Sequence, residues 1–407
     1  MRMLIQYVKS CFSYFKLALG LLLVTTIPLS YAGSLEQAKQ LHDRLAGVPA
    51  DEARLNEMAA LIDANQASAA ADIAIDTPSF YSVTLKLFAT PWTNEEQDIF
   101  RPLNDYSATV IGMVRDDIDF RQVLQGDIAY VGASSLDIPA YSTNNNNHYA
   151  ALDEQSIDLK QHLEQVTQSS LNGFPPEATA GIMTTRQAAR SFFYLGTNRA
   201  MLRFTLMNHL CTDLEPLKDN TRPSDRIRQD VSRSPGGDSR IFVNNCLACH
   251  SGMDPLAQAY AYYNFDFTND RESGRIVYNA DGSTDPDTGS RVQAKYHINA
   301  TNFPYGFVTR NDDWINYWRQ GINSKKLNWD ETLPGKGAGA KSLGQELANS
   351  EAFAQCQVKK VFKTVCLREP KSTNDLAQVA TSVASFKSHS YRLKNVFSEL
   401  GVYCMGE

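Results

Sequence analysis

The run "NNCLACHSG", residues 244–252, holds two cysteines three positions apart, Cys246 and Cys249, with His250 directly after the second. This grouping occurs once in the 407 residues. Thiolates and imidazoles are nucleophiles and metal ligands, so the stretch narrows the chemistry open to the chain. What it does depends on the compartment in which it folds.

The N-terminus bears on that compartment. Arg2, Lys9 and Lys16 are the only charges in residues 1–32, an apolar stretch covers 17–29, and small residues, Ser30 and Ala32, precede Gly33. This is the pattern of a secretory signal peptide over residues 1–32. A membrane span needs about 20 apolar residues, and this core is shorter and broken by Thr25, Thr26 and Pro28. Cleavage after Ala32 would leave 375 of the 407 residues and move the formal net charge from −6 to −9. An acidic exported chain is a poor partner for nucleic acid, and no transmembrane segment is expected after cleavage. The expected location is the periplasm, the cell surface or the medium.

In an exported chain, C-x-x-C-H reads as a c-type haem attachment site. Each thiol adds to one vinyl group of the porphyrin, and the next residue, His250, becomes the proximal axial ligand. A redox dithiol would call for a βαβ context that the flanks lack. A zinc site would need a second C-x-x-C or an H-x₃₋₅-H pair, and the chain has neither. The expected cofactor is one covalent haem c on Cys246 and Cys249.

The other mature cysteines are Cys211, Cys356, Cys366 and Cys404. An oxidising compartment permits disulfides among them. Cys356 and Cys366 fall on one helical pattern, about 15 Å apart by helical rise, too far to bond each other. Cys211 therefore pairs with one of them and Cys404 with the other, and both arrangements remain open.

The fold class is mainly α, a multi-helical exported protein with a c-type haem-binding helical domain and a small β-hairpin. Helical patterns run over 34–46, 52–64, 80–88, 105–124, 185–209 (with a break near Gly196), 254–266, 313–321, 348–367 and 376–400. Residues 275–278 and 291–294 flank a Gly/Asp-rich turn and read as the hairpin. Residues 141–149, with four consecutive asparagines, read as a surface loop, 221–239 as a polar connection and 335–344 as a flexible loop. The organisation expected is a signal peptide over 1–32, a helical N-terminal domain over 33–235, a haem-binding region over 236–345 and a C-terminal helical segment over 346–407.

"CLACHSGMDPLAQAYAYYNFD", residues 246–266, resembles the C-x-x-C-H-x₃-D-P-L/I-G-x-A-x₃-F-D signature of cytochrome c-like domain families of unknown function, of planctomycete and myxobacterial type. "RDDIDFRQVLQGDIAYV" (115–131), "GIMTT" (181–185), "YNADGSTDPDTG" (278–289) and "SEAFAQCQVKKVFKTVCLRE" (350–369) are similar, in order, to other segments of those families. The chain departs from them at Ala257, where glycine is usual, at Tyr263, where an acid is usual, and at 366–368, where Gly-Arg is replaced by Cys-Leu-Arg. The resemblance implies a single covalent haem in an exported helical protein and no settled reaction.

Function then turns on the far side of the iron, where a Met or His makes an electron carrier and an open position permits catalysis. Met253 follows His250 by three and stays on the proximal side. His297 and Met183 are the candidates for the distal ligand. Met405, beside Cys404, is a weaker one. His209 reads as a packed residue, and His42, His148, His162 and His389 as surface or helix-face residues. Asp281, Asp285 and Asp287 suit calcium by type, but their spacing is not that of an EF-hand loop and Pro286 interrupts them, so a solvated turn is the reading favoured. Trp314 and Trp318 read as core, or as a cover for the haem. The reading favoured is single-electron transfer by an exported monohaem c-type cytochrome, with a redox protein as partner. A haem-dependent oxidoreductase of peroxidase or oxygenase type, or a structural or partner-binding haem module, stand as the alternatives.

Overall fold

A computed structural model describes residues 33–406. The expected signal peptide lies outside the described residues. The chain is mainly helical, with three two-stranded antiparallel ribbons. No described helix is long and apolar enough to cross a membrane.

Three helices open the described chain: α1 (Ser34–Ala46), α2 (Glu52–Asp63) and α3 (Ala67–Ile75). α1 buries Ala38, Leu41, His42 and Leu45, an i, i+3, i+4, i+7 stripe. It ends at Gly47 in the left-handed conformation. α2 starts where the Asp51 carboxylate accepts from Arg54 N at 2.8 Å. α4 (Asp105–Arg115) follows and is buried along nearly its whole length. α5 (Arg186–Phe192) and α6 (Arg199–His209) come next, parted near Gly196 as the sequence indicates. The helical pattern over 105–124 stops at Arg115, because Asp117 takes φ +53° and turns the chain.

α7 (Leu247–Ala257) carries the C-x-x-C-H group. Four helices close the chain: α8 (Gly339–Ala348), α9 (Glu351–Cys366), α10 (Thr373–Ser388) and α11 (Leu393–Cys404). α9 buries Phe353, Val358, Val361, Phe362 and Val365, each contributing about 1.5–3 kcal/mol relative to exposure. α11 packs on α9, α1 and α3, so the C-terminus closes over the first helices. One apolar core runs continuously from Ala38 to Cys404.

The ribbons are β1 (Ala129–Gly132) with β2 (Leu163–Val166), β3 (Tyr263–Asp266) with β4 (Arg275–Tyr278), and β5 (Asp313–Ile315) with β6 (Lys336–Ala338). The expected hairpin is half right. Residues 275–278 form β4, but their partner is β3, in a stretch expected to be helical. Residues 291–294 instead run beside 261–262: Gln293 N donates to Ala261 O at 2.9 Å, and Val292 packs with Tyr262 and Tyr296. Residues 313–321 are not an α-helix but β5 and a single 3₁₀ turn over Tyr317–Arg319, at whose start the Asn316 side-chain Oδ1 accepts from Trp318 N at 3.0 Å. Nor is 335–344 a loop. Gly337 stands opposite Trp314 in the ribbon, and Ala340 and Leu343 lie on the buried face of α8.

Candidate haem-attachment site

α7 grows out of a short helical stretch, Ser239–Ile241 then Phe242–Cys246. Phe242 is buried with Ile227 and Val231, and Cys246 and Leu247 pack against that small cluster. The segment 221–239, expected as a plain connection, thus supplies the floor that fixes the start of α7. Cys246 and Cys249 are half-buried and unbonded, one turn apart on one helix face. Burial pushes the Cys249 thiol up, with Lys218 opposing. A raised pKa is the reverse of what activates a redox dithiol.

His250 follows on the same helix and reaches Asp254, one turn on, with Nδ1 3.1 Å from Oδ1. The Asp254 side chain is fully buried. Arg199 grips it in a fork, Nε to Oδ1 at 2.7 Å and Nη2 to Oδ2 at 2.9 Å. The backbone N of Arg228 donates to Oδ2 at 3.2 Å, and its guanidinium lies 3.8 Å from Oδ1. Arg199 also holds Asp230, with Nη2 to Oδ1 at 2.9 Å. Burial raises the Asp254 carboxyl, but Arg199 and Arg228 outweigh it and hold the group well below the usual carboxylate range.

This network decides the tautomer of His250. An ionised carboxylate only accepts, so Nδ1 carries the proton, and in the neutral ring Nε2 is the nitrogen with the lone pair. No hydrogen bond engages that Nε2 among the described residues, and the His250 side chain is 20% exposed. A neutral imidazole oriented by a carboxylate, with its other nitrogen free, is the form that binds a metal. Two unbonded thiols at the right spacing stand on the same helix. The residues therefore fit a covalently held haem, with Cys246 and Cys249 as the thioether anchors and His250 Nε2 as the iron ligand.

The opposite side of α7 is tightly packed. A Cβ on Gly252 would lie 2.1 Å from Trp318 Nε1, and Trp318 is fully buried. The Gly252→Ala variant is expected to lose about 1–3 kcal/mol in denaturant unfolding. The loss should shrink in a Trp318→Phe background, where the obstructing indole ring is gone.

The distal candidates have partners elsewhere. Met183 is fully buried, and its sulfur accepts from Tyr260 OH at 3.2 Å. His297 Nε2 lies 2.9 Å from the carbonyl of Thr309, which leaves Nδ1 as its free nitrogen. Met253 is buried in the core. Met405 is half-buried beside the Cys366–Cys404 pair. His209 is buried as expected, with Nε2 2.9 Å from Tyr106 OH. His42 and His148 are buried too, each on a helix. His42 Nδ1 lies 3.0 Å from Val48 O, tying α1 to the bend after it, and His148 Nε2 accepts from Gly132 N at 2.9 Å, tying its helix to the end of β1. His162 is half-buried and His389 exposed. Asp285 accepts from Asp287 N and Thr288 N at 3.0 and 3.2 Å, while Asp281 faces Arg291. Those carboxylates serve the turn. Trp314 Nε1 donates to Ser342 Oγ at 2.7 Å, and both tryptophans belong to the core.

The "GIMTT" segment meets the 115–131 segment directly. Gly181 N donates to Gly126 O and Ile182 N to Val123 O, both at 2.8 Å. Gly181 has φ +53°, and a Cβ there would lie 2.1 Å from Val123 O, so only glycine suits the position.

Arg199, Arg228 and Asp230 are the site residues that sequence reasoning missed. One signal was present. Arg199 is the first residue of α6, where a cation opposes the helix dipole. Such a placement calls for a carboxylate partner, and here there are two. Comparison of the chain with protein-family models, with curated proteins and with solved structures gives no match.

Proposed function

We propose that the protein is an exported monohaem c-type cytochrome that passes single electrons to and from a partner protein. The observation that carries this reading is the hydrogen bond from His250 Nδ1 to an arginine-clamped Asp254, which leaves Nε2 free beside two unbonded thiols. Bound haem would supply a one-electron Fe(III)/Fe(II) couple. Cys246 and Cys249 hold it to the chain, and His250 ligates the iron. Asp254 keeps the proton on Nδ1 and fixes the imidazole plane. The second reading, a haem-dependent oxidoreductase, draws on the same contact, because a carboxylate on the proximal histidine raises its basicity as a ligand.

The test begins with expression behind the native leader in a host that matures c-type cytochromes. A haem chromophore that stays with the chain through denaturation is expected, and its loss in Cys246→Ala/Cys249→Ala. A denatured wild-type chain free of haem would overturn the proposal. Ferrous spectra with and without carbon monoxide then separate the two readings. A low-spin spectrum unmoved by the gas supports the carrier, and a high-spin spectrum that shifts supports the oxidoreductase.

A further inference from the structure

A cleft of about 660 Å³ opens between α6, α9 and the segment holding Leu87 and Trp92. None of the residues that line it belongs to the C-x-x-C-H group. One wall is apolar, built from Leu87, Phe88, Pro91, Trp92 and Met207. The other is basic, with Lys359, Lys360 and Lys363 from the α9 side. Cys211 also lines it, and the Cys211–Cys356 pair, with Cα atoms 5.2 Å apart, ties α9 to the end of α6. The two walls are therefore held in a fixed relation.

The charges do not balance within the cleft. The two acids that line it have other partners: Glu369 pairs with Lys363 at 2.8 Å, and Asp213 with Arg203 at 2.7 Å. Lys360 has no carboxylate partner among the described residues. Its Nζ donates to the carbonyl of Asn208 and sits 3.7 Å from the centroid of the Trp92 ring. Lys359 likewise has no ion pair among the described residues. Burial pushes the Lys360 amine well below the usual lysine range, with Lys363 adding to the effect. An ammonium group drawn out of water without a counter-ion is costly, and an arriving anion relieves that cost.

We propose that this cleft binds a small amphipathic carboxylate, with its acid group on Lys360 and Lys359 and its apolar body against Trp92, Phe88, Leu87 and Met207. The volume lies in the range of small-molecule sites, and an apolar enclosure with a few convergent polar groups is their usual make-up. The cations sit on one side only, which suits a ligand charged at one end. This inference does not depend on haem.

Isothermal titration of the intact mature protein with 4-phenylbutyrate and with its neutral counterpart 4-phenylbutanol tests it. The acid is expected to bind saturably at one site, and the alcohol about tenfold or more weakly. Lys360→Met should weaken the acid by about tenfold and leave the alcohol nearly unchanged. Leu87→Glu adds a like charge at a rim position that is 48% exposed, so the fold tolerates it, and it should abolish acid binding. If Lys360→Met fails to fold, Lys359→Met and Leu87→Glu carry the test. No saturable binding at millimolar acid, equal binding of acid and alcohol, or acid binding untouched by the variants that fold would each overturn the proposal.

Discussion

Asp254→Ala is expected to remove about 3–5 kcal/mol of stability, because it strips the shared counter-ion from two arginines and leaves their charge buried. Arg228 is 1% exposed and Arg199 is held between Asp254 and Asp230, so neither can turn to water without moving α6 or the 221–239 segment. Denaturant unfolding gives the figure. Asp254→Asn keeps the shape and one acceptor and should cost less. Arg199→Met paired with Asp254→Leu should cost less than the two single changes summed, since each single change leaves the other's charge buried with a partner fewer. Strict additivity would mean that the network does not act as a unit. The pH dependence has a definite sign. Asp254 titrates near 3.9 when unfolded and well below that when folded. Its contribution is therefore fully present above about pH 4 and is lost as pH falls through the folded value. The stability gap between the wild type and Asp254→Asn should stay constant from neutral pH to about pH 4 and close below it. Other depressed carboxylates cancel in that difference because both proteins carry them.

How much of this was legible in the sequence depends on the reach of each interaction. α9 was legible because its apolar residues repeat at helical spacing on one face. The break between α5 and α6 was legible from Gly196. The partner of β4 was not. Strand pairing is a choice among distant segments, and with 254–266 reading as helix the pattern left 291–294 as the partner, whereas those residues run beside Ala261 and Tyr262. Trp314 and Trp318, four apart, imitated a helix face, yet Gly337 opposite Trp314 and the Asn316 turn held the segment extended. The glycines of 335–344 read as flexibility, whereas at Gly337 the lack of a side chain makes room for Ser342 and Trp314.

The site divides along the same line. Cys246, Cys249, His250 and Asp254 lie within nine residues of one another, so their grouping on α7 is visible as spacing. Arg199 and Arg228 reach the site from other parts of the chain, and no period marks them. The backbone partners of His42 and His148 were not legible, because Val48 O is placed by the bend after α1 and Gly132 N by the end of β1. For the cysteines, spacing reduced the possibilities to two pairings. The choice between them came from α6 ending beside the first turns of α9, which no local pattern records.

That choice sets the second large effect. Cys211 pairs with Cys356 across 145 residues, and Cys366 with Cys404 across 38. In the chain-entropy account, closing loops of these lengths contributes about 5 and about 4 kcal/mol. Replacing both cysteines of either pair by alanine should therefore lower the unfolding midpoint strongly, and the longer loop should cost more. The two losses should also differ in place. Cys366 and Cys404 are buried where α9 meets α11, so their loss should raise hydrogen exchange in α11 and in the α1 and α3 faces beneath it. Cys211 is exposed at the end of α6, so a mild external thiol should open the Cys211–Cys356 pair first and loosen α6 against α9. If removing the shorter loop costs more, loop entropy is not what these bonds chiefly supply. Packing of buried sulfur in the core would then be the larger part, because Cys366 and Cys404 both belong to the main apolar cluster and Cys211 does not.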